Sequence, residues 1–286
     1  MDPVQTTLAV FELSLLLLGA LLILRVIGSP ERRRAWFAAD TIPHWPMTGH
    51  EVTLLVVVIF LCGFAGQSLA VWLFTASIKH AADKAGLEVL VYGAAFHGCA
   101  LLGWLLFRVL RHWLYADYGT LPAAAAPSPR LPLGKLLGTA AVGLVVALPV
   151  LTAVSLGWTV LLKKLGLPDV PQDLVDIFSK TSSPLVITGM LLVACVLAPI
   201  NEELIFRAGI FRFCRQRFGR VAAFAVSGIF FGALHGNWAG FLPLALLGGA
   251  LALVYEKTGD IRVSITMHAL FNLNTVLVIL SGLPAT

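Results

Sequence analysis

Charge is what this sequence has least of. Only 12% of its 286 residues are Asp, Glu, Lys or Arg, and 58% are apolar. An ordinary soluble domain carries roughly 25% charged residues. A soluble fold of this size cannot be clothed in so little polar surface. Disorder is excluded by the same figures, because chains that stay unfolded are poor in apolar residues and rich in charge. Cysteine is scarce too. The four present, Cys62, Cys99, Cys195 and Cys214, lie in apolar or flanking helical stretches and make no disulfide framework. No internal repeat of about 20–50 residues is visible, which excludes a solenoid. No basic residue precedes the first apolar run. Its length and its trailing charges read as a retained anchor rather than a cleaved signal peptide.

What is there is a series of apolar runs, with a mean hydropathy of +0.90. Eight candidate spans are expected near 7–27, 52–77, 88–109, 136–162, 184–206, 221–238, 240–256 and 261–282. About 20 residues cross a bilayer core of ~30 Å. The sixth and seventh runs are short, and the fifth is expected to continue as a helix to about Arg217. The fold class is therefore all-α, a polytopic transmembrane helix bundle of about eight spans.

The net charge of +5 invites a nucleic-acid reading. Its distribution argues against one. Fifteen of the twenty Lys and Arg residues fall in alternate loops, after the first, third, fifth and seventh runs. That is a topology signal, and it places both termini outside and the arginine-rich loops inside. A multi-pass protein of a bacterial inner membrane fits the short loops. Residues 1–134 form an unassigned N-terminal part of three spans and a linker over 111–134, with Pro- and Ala-rich sequence around 121–129. Residues 135–286 form the part that carries the chemistry. A short interfacial helix is expected from Asp173 to Lys180.

Ionisable groups in hydrocarbon are costly and point to function. Those inside the expected spans are Glu12, His97, Glu202, Glu203, Arg207, His235 and His268, with Asn201, Asn272 and Asn274 beside them. Glu12 sits near the outer end of its span, within reach of water. His97 has no ionic partner in view and reads as an interhelical hydrogen bond. All of the others fall in the last 90 residues. Glu203 and Arg207 are four apart and share a helix face, so they can pair. Glu202 points about 100° away from Glu203 and is left to face a reaction centre. Pro199 should bend this helix. His235 lies as far beyond a turn at Phe218-Gly219 as Glu202 lies before it, which puts both at one depth. His268 and Asn272 are again four apart, and Gly248-Gly249 permits close helix approach.

A carboxylate and a histidine at one depth can hold and deprotonate a water. A second histidine and an amide can donate to a developing oxyanion. Together they describe hydrolysis of an amide with water as nucleophile. No serine or cysteine stands beside a histidine in the manner of an acyl-enzyme. Zinc is the competing use of Glu202, His235 and His268, with water as fourth ligand. The metal-free form is preferred, since no His-Glu-x-x-His is present.

Glu202-Glu203-Leu-Ile-Phe-Arg207, Phe231-Gly-Ala-Leu-His235 and His268-Ala-Leu-Phe-Asn272 resemble the three ordered motifs of the CPBP family. That family contains the CAAX prenyl endopeptidases of the Rce1 type and bacteriocin-processing or self-immunity proteins. Residues 247–259 also resemble the stretch before its last motif. The resemblance covers about 184–280. It implies an intramembrane glutamate protease with no cofactor. Glu202 would be the base, His235 its partner, His268 and Asn272 the oxyanion donors, and Glu203, Arg207 and Phe231 supporting positions. The implied partners are the lipid bilayer and a membrane-embedded or lipidated peptide, CAAX-like termini included, with no nucleic acid. Two other functions stand beside it: a non-proteolytic immunity or scaffolding protein on the same fold, and a proton-coupled transporter. The transporter is disfavoured because no paired halves with interrupted helices are visible.

Overall fold

A computed structural model describes residues 3–38, 42, 47–116, 130–170 and 173–282. Every regular element among them is helical. In chain order they are α1 (Pro3–Ile27), α2 (Pro30–Phe37), α3 (Gly49–Ile78), α4 (Lys84–Ala116), α5 (Leu133–Leu165), α6 (Asp173–Lys180), α7 (Pro184–Arg217), α8 (Gly219–Leu234), α9 (Trp238–Thr258) and α10 (Ile261–Leu280). Seven of these (α1, α3, α4, α5, α7, α9 and α10) are long and apolar enough to cross a membrane. The protein is a polytopic helical bundle. The fifth expected span does run on to Arg217, and the short helix at Asp173–Lys180 is present. Most of the expected linker, residues 117–129, lies outside the described residues.

One expectation needs correction. The sixth run was expected to fill a span from 221 to 238 with His235 inside it. The helix instead stops at Leu234, giving α8 16 residues. Its length is about 24 Å at 1.5 Å per residue, short of the ~30 Å hydrocarbon core. Gly236 is the physical reason. It adopts φ +62°, a left-handed conformation that ends helices and that side-chain-bearing residues resist. Asn237 then caps α9 at once, its side chain accepting from the Gly240 N–H at 2.8 Å.

The helices sort into two compact units. One is drawn from Met1–Ile42, Ser128–Ser179 and Phe224–Thr286, the other from Pro43–Pro127 and Lys180–Ala223. In the first unit α1 and α10 run antiparallel. Gln5 donates to the Ser281 carbonyl at 3.0 Å, and Asn274 donates to Glu12 at 3.4 Å two turns along. Glu12 thus sits well inside α1 rather than near its end, and it has a protein partner there. Small residues let α8 and α9 cross closely. A β-carbon added at Gly232 would overlap the Phe241 carbonyl oxygen, and one at Gly228 would fall 2.6 Å from that of Ala245. Gly248 meets Gly228 and Phe231, whereas Gly249 faces open space.

In the second unit α3 and α4 form a hairpin. Gly63 and Gly66 admit Phe96 and Cys99 of α4, and Phe60, Phe64 and Phe96 stack together. Glu51 closes a capping box with Thr48 and pairs with Arg111 across the hairpin at 2.6 Å. Asp83, before α4, accepts the backbone N–H groups of Ser182 and Ser183, which lead into α7. The Ser182 N–H, with that of Ser183, holds the Asp83 carboxyl below its ordinary value, although what burial there is works the other way.

Candidate active site

The first motif lies on α7 within the second unit. Two π-helical stretches interrupt this helix, Val193–Leu197 and Leu204–Phe211, and Ala198–Glu203 between them is α-helical. Pro199 explains the first. Proline has no N–H and its ring crowds the carbonyl four residues back, so a widened turn upstream removes the clash. The expected disturbance at Pro199 is therefore a wide turn that sets the rotation of Asn201, Glu202 and Glu203.

Adjacent residues meet different fates here. Glu203 and Arg207 are both fully buried, and Arg207 Nη1 lies 3.1 Å from Glu203 Oε1. This is the expected ion pair. Glu202 is only half-buried. Asn201 is buried and ties α7 to α4: its Nδ2 donates to the His97 carbonyl at 2.9 Å and to the Leu197 carbonyl at 3.1 Å. Nδ2 also approaches His97 Nδ1 at 3.4 Å. His97 thus takes part in an interhelical hydrogen bond, as expected, but its main chain is the nearer partner.

The second and third motifs meet in the first unit. The Phe231 ring is fully buried. The His235 ring packs on it at 4.9 Å between centroids, and the His268 ring meets it edge-on at 5.5 Å. His235 stands just past the end of α8, where helix carbonyls lack intrahelical donors. Its Nδ1 lies 2.7 Å from the Phe231 carbonyl oxygen. A carbonyl can only accept, so Nδ1 carries the proton. In the neutral ring Nε2 then keeps its lone pair. That nitrogen can take a proton from water or bind a metal.

His268 is buried one turn before Asn272, which is half-buried on the same face of α10. Asp260 starts that helix, its carboxylate accepting the Arg262 N–H at 3.1 Å and the Leu131 N–H at 3.0 Å. Burial alone would raise its pKa. The Arg262 side chain and the two backbone donors outweigh burial and hold the carboxyl below its ordinary value.

The structure thus brings together Phe231, His235 and His268 in one unit, and His97, Asn201, Glu202, Glu203 and Arg207 in the other. The sequence reading did not include Glu256, which is fully buried at the last turn of α9.

The curated UPF0177 protein YaiF of Lactococcus lactis subsp. lactis (strain IL1403) is 36% identical over 95 residues, 32% of this chain. The aligned stretch spans 40% of the length of that relative. No solved structure matches. Residues 184–274, which hold all three motifs, match the model of the type II CAAX prenyl endopeptidase Rce1-like family, and on that match the resemblance to the CPBP proteins stands.

Proposed function

We propose that this protein is an intramembrane endopeptidase that cleaves a peptide bond in a membrane-embedded or lipidated substrate. The observation that carries this reading is the state of His235: Nδ1 is committed to the Phe231 carbonyl, and His268 of the third motif stands on the same Phe231 ring.

In this mechanism the Glu202 carboxylate takes a proton from water while His235 Nε2 accepts the hydrogen bond of its second O–H. The water oxygen bonds to the substrate carbonyl carbon. The carbonyl oxygen becomes an oxyanion, held by donors from His268 and Asn272. Glu202 then passes its proton to the amide nitrogen as the C–N bond breaks, giving a carboxylic acid and a free amine. Glu203 and Arg207 neutralise each other and keep Glu202 turned from its neighbour. The family description points to a prenylated CAAX-type terminus as the substrate class.

The test is cleavage of a farnesylated CAAX peptide, and of its unprenylated twin, by the protein in proteoliposomes. Glu202→Gln and His235→Ala are each expected to lower the rate by at least ~10²-fold, the scale of general acid–base catalysis. Both should still elute as folded protein in detergent. Full activity in either variant overturns the assignment. Zinc has one observation in its favour, since a metal-bound histidine commonly donates its other N–H to a carbonyl. Activity that survives a strong chelator in protein free of bound zinc excludes it.

A further inference from the structure

The first unit contains a cavity of about 190 Å³ on the far side of α9 from Phe231. Leu246, Ala250 and Leu253 face it from α9, whereas Gly248 of the same helix meets Gly228 and Phe231 of α8. The rest of its wall comes from α5, Met267 of α10 and Trp36 of α2. Apart from the Trp36 indole N–H and the Met267 thioether, no side chain of the lining carries a polar atom. Protein interiors close-pack, and an apolar void that persists stays dry and takes up apolar ligands. Val150 and Leu246 line the cavity and are exposed, so it opens sideways between α5 and α9. Both helices are long and apolar enough to span a membrane, so that opening faces hydrocarbon chains.

One end of the cavity is charged. Leu246 and Val254 are eight residues apart on α9, ~12 Å along its axis. Lys257 lies one turn beyond Val254, and its Nζ donates to the Ala35 carbonyl at 2.9 Å and to the Ala38 carbonyl. This pin fixes α2 at the Val254 end, where Trp36 closes the cavity. Arg32 and Arg33 precede Trp36 by four and three residues and share its helix face. Arg32, Arg33 and Arg34 are all exposed, and Glu31 is the one acidic residue of α2. Arg32 Nη1 approaches the Arg25 carbonyl at 3.4 Å, and among the described residues no carboxylate pairs with the three arginines. A soluble anion has no use for the apolar cleft, and a neutral lipid has none for the arginines. One ligand needs both.

We propose that this is the binding site of a single anionic glycerophospholipid. One acyl chain enters between Val150 and Leu246 and fills the cavity. The phosphate lies on Arg32 and Arg33, with the Trp36 ring at the level of the headgroup, where indoles settle. Basic residues just outside a spanning helix draw anionic headgroups in this way. The lipid thereby ties α2 to α5 and α9 and removes the void between them. The site is separate from the motif residues and does not depend on the proteolytic reading.

Lipid-stripped protein in detergent tests it, titrated with dioleoylphosphatidylglycerol, dioleoylphosphatidylcholine or inorganic phosphate. Native mass spectrometry and thermal unfolding are the readouts. Phosphatidylglycerol should bind once per chain and raise the unfolding temperature to a plateau, as a ligand of the folded state does. Phosphatidylcholine and inorganic phosphate should do neither. The double variant Arg32→Gln, Arg33→Gln should bind phosphatidylglycerol at least ~10-fold more weakly, the scale of two basic residues at an anionic headgroup. Ala250→Phe puts a ring into the cavity and should exclude the lipid while unfolding no lower than lipid-free wild type. In the wild-type protein, phosphatidylglycerol with a diazirine in one acyl chain should label α5 and α9 near Val150 and Leu246. Equal binding of the two lipids, wild-type affinity in either variant, or labelling confined to other helices overturns the proposal. A temperature rise with inorganic phosphate alone overturns it too, since the cleft would then play no part. None of these readouts uses cleavage, so their failure leaves the proposed function standing, and loss of that function leaves the lipid site standing.

Discussion

The pair formed by Glu203 and Arg207 is fully buried, and its energetics are those of two charges that need each other. Removing one partner leaves an uncompensated charge out of reach of water, which costs about 3–5 kcal/mol. Glu203→Gln should lower stability by that order in denaturant titrations of detergent-solubilised protein, and Arg207→Met should do the same. The double variant should be clearly more stable than the sum of the two losses, because no lone charge remains. Single variants within 0.5 kcal/mol of wild type would mean that the pair is not buried as described. This pair was readable from sequence, since i,i+4 spacing survives in a helix whatever the helix packs against. The surroundings of His235 were not. Its Nδ1 bond depends on the chain leaving the helix at Gly236, and nothing in an apolar run announces a positive φ. The tie from Asn201 to His97 was beyond reach for another reason: it joins residues 104 apart, and no sequence pattern says which helices are neighbours.

Helices bring these residues into place through two devices, a widened turn and a close crossing. The widened turn in α7 answers Pro199, and a proline in an apolar run is visible in the sequence. A second π-helical stretch over Leu204–Phe211 has no such marker. The close crossing of α8 and α9 was partly legible. Gly248-Gly249 signalled an approach, but only Gly248 makes it, and Gly228 and Gly232 on the other helix complete it. These two positions allow a controlled test. Gly232→Val forces a side chain into the α9 backbone and should cost ~1–3 kcal/mol, as overpacking does. It should also abolish cleavage, because Phe231 and His235 flank the displaced turn. Gly249→Ala meets nothing within 4 Å and should leave both quantities unchanged. Thermal unfolding and peptide cleavage measured on both variants decide it. An unimpaired Gly232→Val protein would show that the crossing does not set the position of the second motif.

Across the whole molecule the open matter is how many times the chain crosses the bilayer. Seven helices are long enough, and an odd number of crossings would leave the termini on opposite sides. The first unit speaks against that. The start of α1 and the end of α10 are hydrogen-bonded through Gln5 and Ser281, and Asn274 and Glu12 continue the antiparallel register. Both ends therefore lie at one face, and an even number of crossings follows. We expect the short helix α8 to be the eighth crossing, its ~24 Å made up by the non-helical turn at His235–Asn237. Irregular backbone at membrane depth is tolerated where protein or a water-filled cavity covers it. The alternation of Lys and Arg between loops leads us to expect the shared face of the termini outside. Single cysteines at Thr6 and Ser281, in a background without the four native ones, should both react with a membrane-impermeant maleimide added outside intact cells. Cysteines at Arg33 and Arg215 should react only after the cells are opened. Labelling of position 6 and position 281 from opposite sides would break the even count, and with it the place given to α8 and His235 within the membrane.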